Sequence, residues 1–111
     1  MLNFYRKDKY MSNINFEFRK GIFFIRFIDE IKEESNTEEI KRIILENRFK
    51  YVVLNTNYIK KINLYGLNYL MDLIYIVNAT DSNVVICDKS KIINKLINYK
   101  IPNIIDEIEV L

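Results

Sequence analysis

The chain has 111 residues, enough for one domain with a real core and no need of disulfides or metal. Its net charge of +2 is too small to argue for nucleic acid, and no apolar run approaches the roughly 20 residues that cross a bilayer. There is no His, one Cys and only two Gly. These absences exclude His-based acid/base pairs, most zinc sites, a Cys-His nucleophile and a Gly-rich phosphate cradle. An enzyme is not expected, nor is a cofactor or metal.

Residues 1–12 lack a clean period and read as a partly ordered arm, ahead of a single domain over 13–111. The start lacks the apolar region and cleavage site of a secretory signal, so a cytoplasmic location is expected. Charge is uneven: the first twenty residues hold five cations and two anions, whereas Asp29 to Glu46 holds seven anions and three cations. Such blocks are read as solvated faces.

Ile14, Phe16 and Phe18 alternate with Asn15, Glu17 and Arg19, which is the period of a half-buried strand. Lys20-Gly21 supplies a turn, and Ile22 to Ile28 a second strand, completing a hairpin. Phe23, Ile25 and Phe27 share one face of it; Phe24 and Arg26 share the other. Two overlapping capping boxes, Ser35 with Glu38 and Asn36 with Glu39, open a helix over 36–47 whose inner face holds Ile40, Ile43 and Ile44. Tyr51 to Asn55 is nearly all apolar, as expected of a central strand covered on both faces. A polar loop follows, then a helix over 64–78.

Asn83 to Cys87 reads as another short buried strand, with Cys87 as a buried free thiol acting as a small hydrophobe. Lys89 to Tyr99 reads as a helix directing Ile92, Ile93, Leu96 and Ile97 inward, stopped by Pro102. Residues 104–111 fit a short helix or a last strand equally well. The expected fold is α/β: a mixed sheet of four to five strands with three to four helices mainly on one side.

The stretch Val53-Leu54-Asn55-Thr56-Asn57-Tyr58-Ile59-Lys60-Lys61-Ile62-Asn63-Leu64-Tyr65-Gly66-Leu67 runs without a gap along a known pattern, roughly V-L-D-L-S-G-V-x-x-I-D-S-S-G-L. It resembles the central strand–loop–helix of STAS domains, the anti-sigma-factor antagonist family, and the order of elements over 13–111 matches as well. The resemblance implies a switch loop at Asn63, Leu64, Tyr65 and Gly66. The family carries Asp-Ser-Ser, with the first Ser as phosphate acceptor, where this chain has Asn63-Leu64-Tyr65. Leu64 has no hydroxyl, so phosphorylation there is chemically impossible. Asn63 is expected to cap the helix rather than catalyse, and Gly66 to permit a close approach. A second family pattern, G-E-L-D-x-x-T, falls on Asp29-Glu30-Ile31-Lys32-Glu33-Glu34-Ser35, placing Asp29 at the Gly and Lys32 at the Asp.

At 100° per residue, Leu67, Leu70, Met71, Ile74 and Val77 form the expected core face of the helix over 64–78. Tyr65, Tyr69 and Ile76, flanked by Asp72 and Leu73, then fall opposite and are read as a partner-binding stripe, because Tyr suits interfaces. The resulting expectation is a non-catalytic bacterial module that binds a regulatory protein, such as an anti-sigma factor or kinase-like ATPase, without Ser phosphorylation, in signal transduction and transcription control. A monomer or weak homodimer is expected. Two alternatives are an accessory subunit of a lipid-transport ABC complex and a small-ligand sensor with a pocket near Asn57 to Asn63.

Overall fold

The hairpin forms where the alternation places it. β1 (Ile14–Arg19) and β2 (Ile22–Asp29) pair antiparallel in a register that sets Arg19 against Ile22. Lys20 and Gly21 both have positive φ, 52° and 81°, the two-residue turn whose twist matches that of the flanking strands. These are features of a computed structural model that describes residues 13–33, 35–89, 91–93 and 95–96. The expectations for the arm over 1–12, for Ile97, for Pro102 and for 104–111 lie outside the described residues.

From β2 the chain crosses through α1 (Thr37–Glu46) to β3 (Tyr51–Ile59), and through α2 (Leu64–Ala79) to β4 (Asn83–Cys87). β2, β3 and β4 are parallel, and the four-stranded sheet has the order β1-β2-β3-β4. Right-handed crossovers that step in one direction put both helices on one face. There Phe23, Ile25, Phe27, Val52, Leu54, Val84 and Ile86 meet Ile40 and Ile44 of α1 and Leu70, Leu73, Ile74 and Val77 of α2 in one buried cluster. Val53 and Val85, on the other face, are also buried, so β3 is covered on both sides as its composition implies. No helix among the described residues is long and apolar enough to cross a membrane.

Four details depart from the sequence reading. β3 does not end at Asn55: it continues to Ile59, because β2 supplies partners (Ile28 with Tyr58, Asp29 with Ile59) after an irregularity between Arg26 and Ile28. The capping box of Asn36 with Glu39 does not form. Asn36 is the N-cap but sits at φ −82°, ψ 48°, outside the extended conformation that aims a side chain at the first turn, and its Oδ1 is buried without a hydrogen-bond partner. Cys87 is half-buried rather than buried. In the helical residues after β4, Ile93 is buried, but Ile92 and Leu96 are exposed.

Candidate functional site

The start of α2 is fixed by its cap. Asn63 is extended (φ −103°, ψ −179°) and its Oδ1 accepts from the Gly66 N–H at 2.7 Å. Its Nδ2 donates to Glu30 Oε2 at 3.0 Å, tying the cap to the segment that leaves β2. The expected capping role is what the geometry shows. Gly66 sits where a Cβ would stand 3.3 Å from Ile31 Cβ, 3.3 Å from Ile62 Cδ1 and 3.4 Å from Asn63 Oδ1. The close approach expected of this glycine is therefore to the β2–α1 connection. Asp29, aligned with a glycine of the family pattern, has φ +63°, a left-handed conformation that Asp tolerates better than most residues. Its carbonyl accepts from both Lys60 N–H (2.8 Å) and Lys61 N–H (3.3 Å), which sews the end of β2 to the loop before α2.

Leu64 is the first residue of α2 and is 72 % exposed. A bare hydrocarbon side chain thus stands at the N-terminus of the helix, beside an N–H cluster that would favour negative charge. Tyr65 turns the other way. It is half-buried, its hydroxyl donates to Thr37 Oγ1 at 3.3 Å, and its ring stacks on Tyr69 with centroids 6.4 Å apart.

The stripe read as partner-binding is largely interior. Tyr69 is 3 % exposed and Leu73 0 % exposed, while Tyr65 and Ile76 pack against the core cluster. The reason is α1, which lies along this flank. Tyr69 Oη donates to the Thr37 carbonyl at 2.8 Å, and Lys41 Nζ reaches Asp72 Oδ2 at 3.5 Å while standing 5.5 Å from the Tyr69 ring centroid. Burial, reinforced by the charges of Tyr65, Glu38 and Asp72, pushes the Tyr69 phenol far above its ordinary value. Only Asp72 of the five residues remains exposed.

Rotating the buried arc toward α1 leaves a different face outward. Leu67 and Met71, expected in the core, are only partly buried. With Leu64 and Tyr75, the latter 75 % exposed, they form an apolar ridge along α2, flanked by the exposed Asn68 and Asn78. Positions 64, 71 and 75 fall within about 40° of one another on a 100° helix, so the ridge was available from the sequence once its phase was known. Tyr75 is the residue that sequence reasoning missed.

Beside the N-terminus of α2 lies an open cleft of about 250 Å³, lined by Thr56, Asn57, Ile59, Lys61, Asp88 and Ile93 among others. Its place agrees with the ligand pocket expected near Asn57 to Asn63. Among the described residues no group of His, Cys, Asp and Glu is arranged to hold a metal ion.

No family model matches the sequence, and no curated protein matches it. Solved structures do match in shape. The anti-sigma factor antagonist SpoIIAA, in its unphosphorylated form, superposes with a TM-score of 0.63 at 13% identity, covering 78% of this chain and 78% of that one. Mglu superposes with a TM-score of 0.55 at 18% identity, over 67% of this chain but only 19% of its own. Mglu in its L-glutamate binding form gives 0.60 at 12% identity, over 73% of this chain and 28% of its own. At these identities the likeness is one of fold: the chain has the STAS-like architecture found in SpoIIAA.

Proposed function

We propose that this protein is a non-catalytic, cytoplasmic interaction module of the anti-sigma-factor antagonist type, which docks a regulatory protein through the outward ridge of α2 without control by phosphorylation at position 64. The observation that carries the reading is Leu64. It occupies the first turn of α2, is largely exposed, and continues into Met71 and Tyr75. An apolar side chain in that place favours a partner's apolar surface, and it offers no oxygen to a kinase. The fold likeness to an anti-sigma factor antagonist supports the same reading.

The ridge replaces the stripe first expected to bind, since Tyr69 and Leu73 support the core and only Asp72 can rim the contact. The test is calorimetry against the anti-sigma factors and kinase-like ATPases encoded in the same genome, with ATP present. One of them should bind the wild-type chain. Leu64→Glu and Tyr75→Glu should each weaken that binding about tenfold or more, with melting temperatures unchanged. Mass spectrometry should find no phosphate on residues 63–66. Variants that bind as tightly as wild type would sink the reading, as would failure of every member of the panel to bind.

A further inference from the structure

The cleft exists because two neighbouring strands end at different heights. β4 pairs with β3 from Tyr51–Asn83 to Asn55–Cys87, and β3 then runs on to Ile59, four residues past Asn55. Its overhang is left without a strand neighbour on that side among the described residues. The loop after β3 (Lys60 to Ile62) and the residues after β4 (Asp88, Lys89, Ile92, Ile93) wall off the space above it. Crevices at the carboxyl ends of parallel strands are where open α/β sheets hold ligands, because loops of free composition converge there on a rigid floor.

The chemistry of the walls is divided. Ile59, Ile62, Ile92 and Ile93 make an apolar side. The rim carries Lys60, Lys61 and Lys89. Lys60 is committed to Asp29, with Nζ 3.7 Å from Oδ1. Among the described residues neither Lys61 nor Lys89 is placed within ion-pair distance of a carboxylate, and both are exposed at the lip. The positions of these lysines are not accidental features of a floppy loop. The Lys61 N–H is held on the Asp29 carbonyl at 3.3 Å, and the Lys89 N–H on Asn57 Oδ1 at 2.6 Å. Two lysines are thereby anchored at their backbones in different walls of one cleft, one after β3 and one after β4.

We propose that this cleft is a binding site for a small organic anion, a carboxylate or phosphate head on a short apolar body. The head group sits between Lys61 and Lys89, and the body lies against Ile59, Ile62 and Ile93. Size limits the ligand: about 250 Å³ lies below the roughly 300–1,000 Å³ of sites that enclose drug-sized molecules. Polarity fixes its direction. Asp88, buried at the floor and already holding a partner within the chain, repels a second negative charge placed deep, so the charged end must point outward. The inference is independent of what docks on the α2 ridge.

The experiment is a titration of the isotopically labelled protein, followed by amide NMR, with hexanoate, phenyl phosphate and inorganic phosphate, and with hexanamide as the uncharged control. The two organic anions separate a carboxylate from a phosphate preference, and inorganic phosphate tests the head alone. Saturable shifts should map to Thr56, Asn57, Lys61, Ile62, Asp88 and Lys89 for at least one organic anion, with hexanamide and inorganic phosphate binding more weakly. The double variant Lys61→Gln/Lys89→Gln should lose about tenfold or more in affinity, and higher salt should weaken the wild type while leaving the variant nearly unaffected. Its melting temperature should match the wild type, since both side chains are exposed. Equal shifts from hexanamide, shifts scattered over the whole surface, no saturable shift with either organic anion, or full binding by the double variant would each overturn the proposal.

Discussion

The hydroxyl of Tyr69 donates to the carbonyl of Thr37 at 2.8 Å, across the seam where α2 meets the first turn of α1. This side chain joins the two helices that cover the sheet, alongside the Tyr65–Thr37 and Lys41–Asp72 contacts, in a place the helical wheel alone would assign to solvent. Replacing Tyr69 by Phe keeps the ring and removes the bond. It should cost about 1 kcal/mol in urea unfolding. Tyr69→Glu, which puts a carboxylate into the same buried seam, should cost at least about 3 kcal/mol or prevent folding.

The same phenol makes stability depend on alkaline pH. Its value in the folded protein is raised above the ordinary value of about 10, first by burial and then by Tyr65, Glu38 and Asp72. The folded state therefore binds this proton more tightly than the unfolded chain does. The contribution is fully present below about pH 10 and is lost as pH rises above it, at a limiting slope of about 1.4 kcal/mol per pH unit. Unfolding free energies measured across the alkaline range should fall more steeply for the wild type than for Tyr69→Phe. Parallel curves would refute the assignment.

At the other end of the same helix, Asn63→Ala removes both the cap to Gly66 N–H and the bond to Glu30. A loss of about 1 kcal/mol is expected, the usual worth of an N-cap side chain. Leu64→Asp should behave oppositely in isolation. The first turn of α2 carries no acidic residue, so a carboxylate there gains from the helix dipole, and stability should hold or rise by a few tenths of a kcal/mol. Thermal melts of the two variants side by side would separate capping from docking, since the second leaves the fold whole.

Gly66→Ala sets two effects against each other. Alanine is the better helix former by about 1 kcal/mol. Its methyl, however, would meet Ile31 Cβ and Ile62 Cδ1 at 3.3 Å, and Ile31 is itself buried with little room to retreat. The clash should win, giving a net loss of about 1 kcal/mol by chemical denaturation. A more stable Gly66→Ala protein would show that the β2–α1 connection yields more easily than its packing implies.

Most of the architecture was legible because period and composition speak directly about burial. The alternation in Phe23, Ile25 and Phe27 gives a strand and its inner face, and the unbroken Val52-Val53-Leu54 gives a strand buried on both sides. Asn63 announces its helix by chemistry that acts within three residues. What stayed hidden depends on neighbours far along the chain. Thr56 and Asn57 look like loop residues, yet the strand continues through them to Ile59 because β2 is there to pair. The phase of α2 misled for the same reason: a helix nearly apolar all round has no preferred inner face until another helix lies against it. Tyr69 and Leu73 went to the seam with α1, and Leu64, Met71 and Tyr75 were left outside. Asn36 shows the converse, a residue with the right chemistry for a cap and a backbone that does not aim it.

The two ends of the sheet are built to different standards. At one end, Lys50 N–H bonds to the Gly21 carbonyl, Asn83 N–H to the Lys50 carbonyl, and Ser82 Oγ to the Phe49 carbonyl, a short stitched margin. At the other, the segments that follow β3 and β4 carry Lys60, Lys61 and Lys89, and the first of them leads into Leu64. Nine residues of extended β3 keep these margins about 30 Å apart. A fluorophore or surface tether attached at Lys20, on the stitched margin, would therefore report on whatever arrives at the far one without standing in its way.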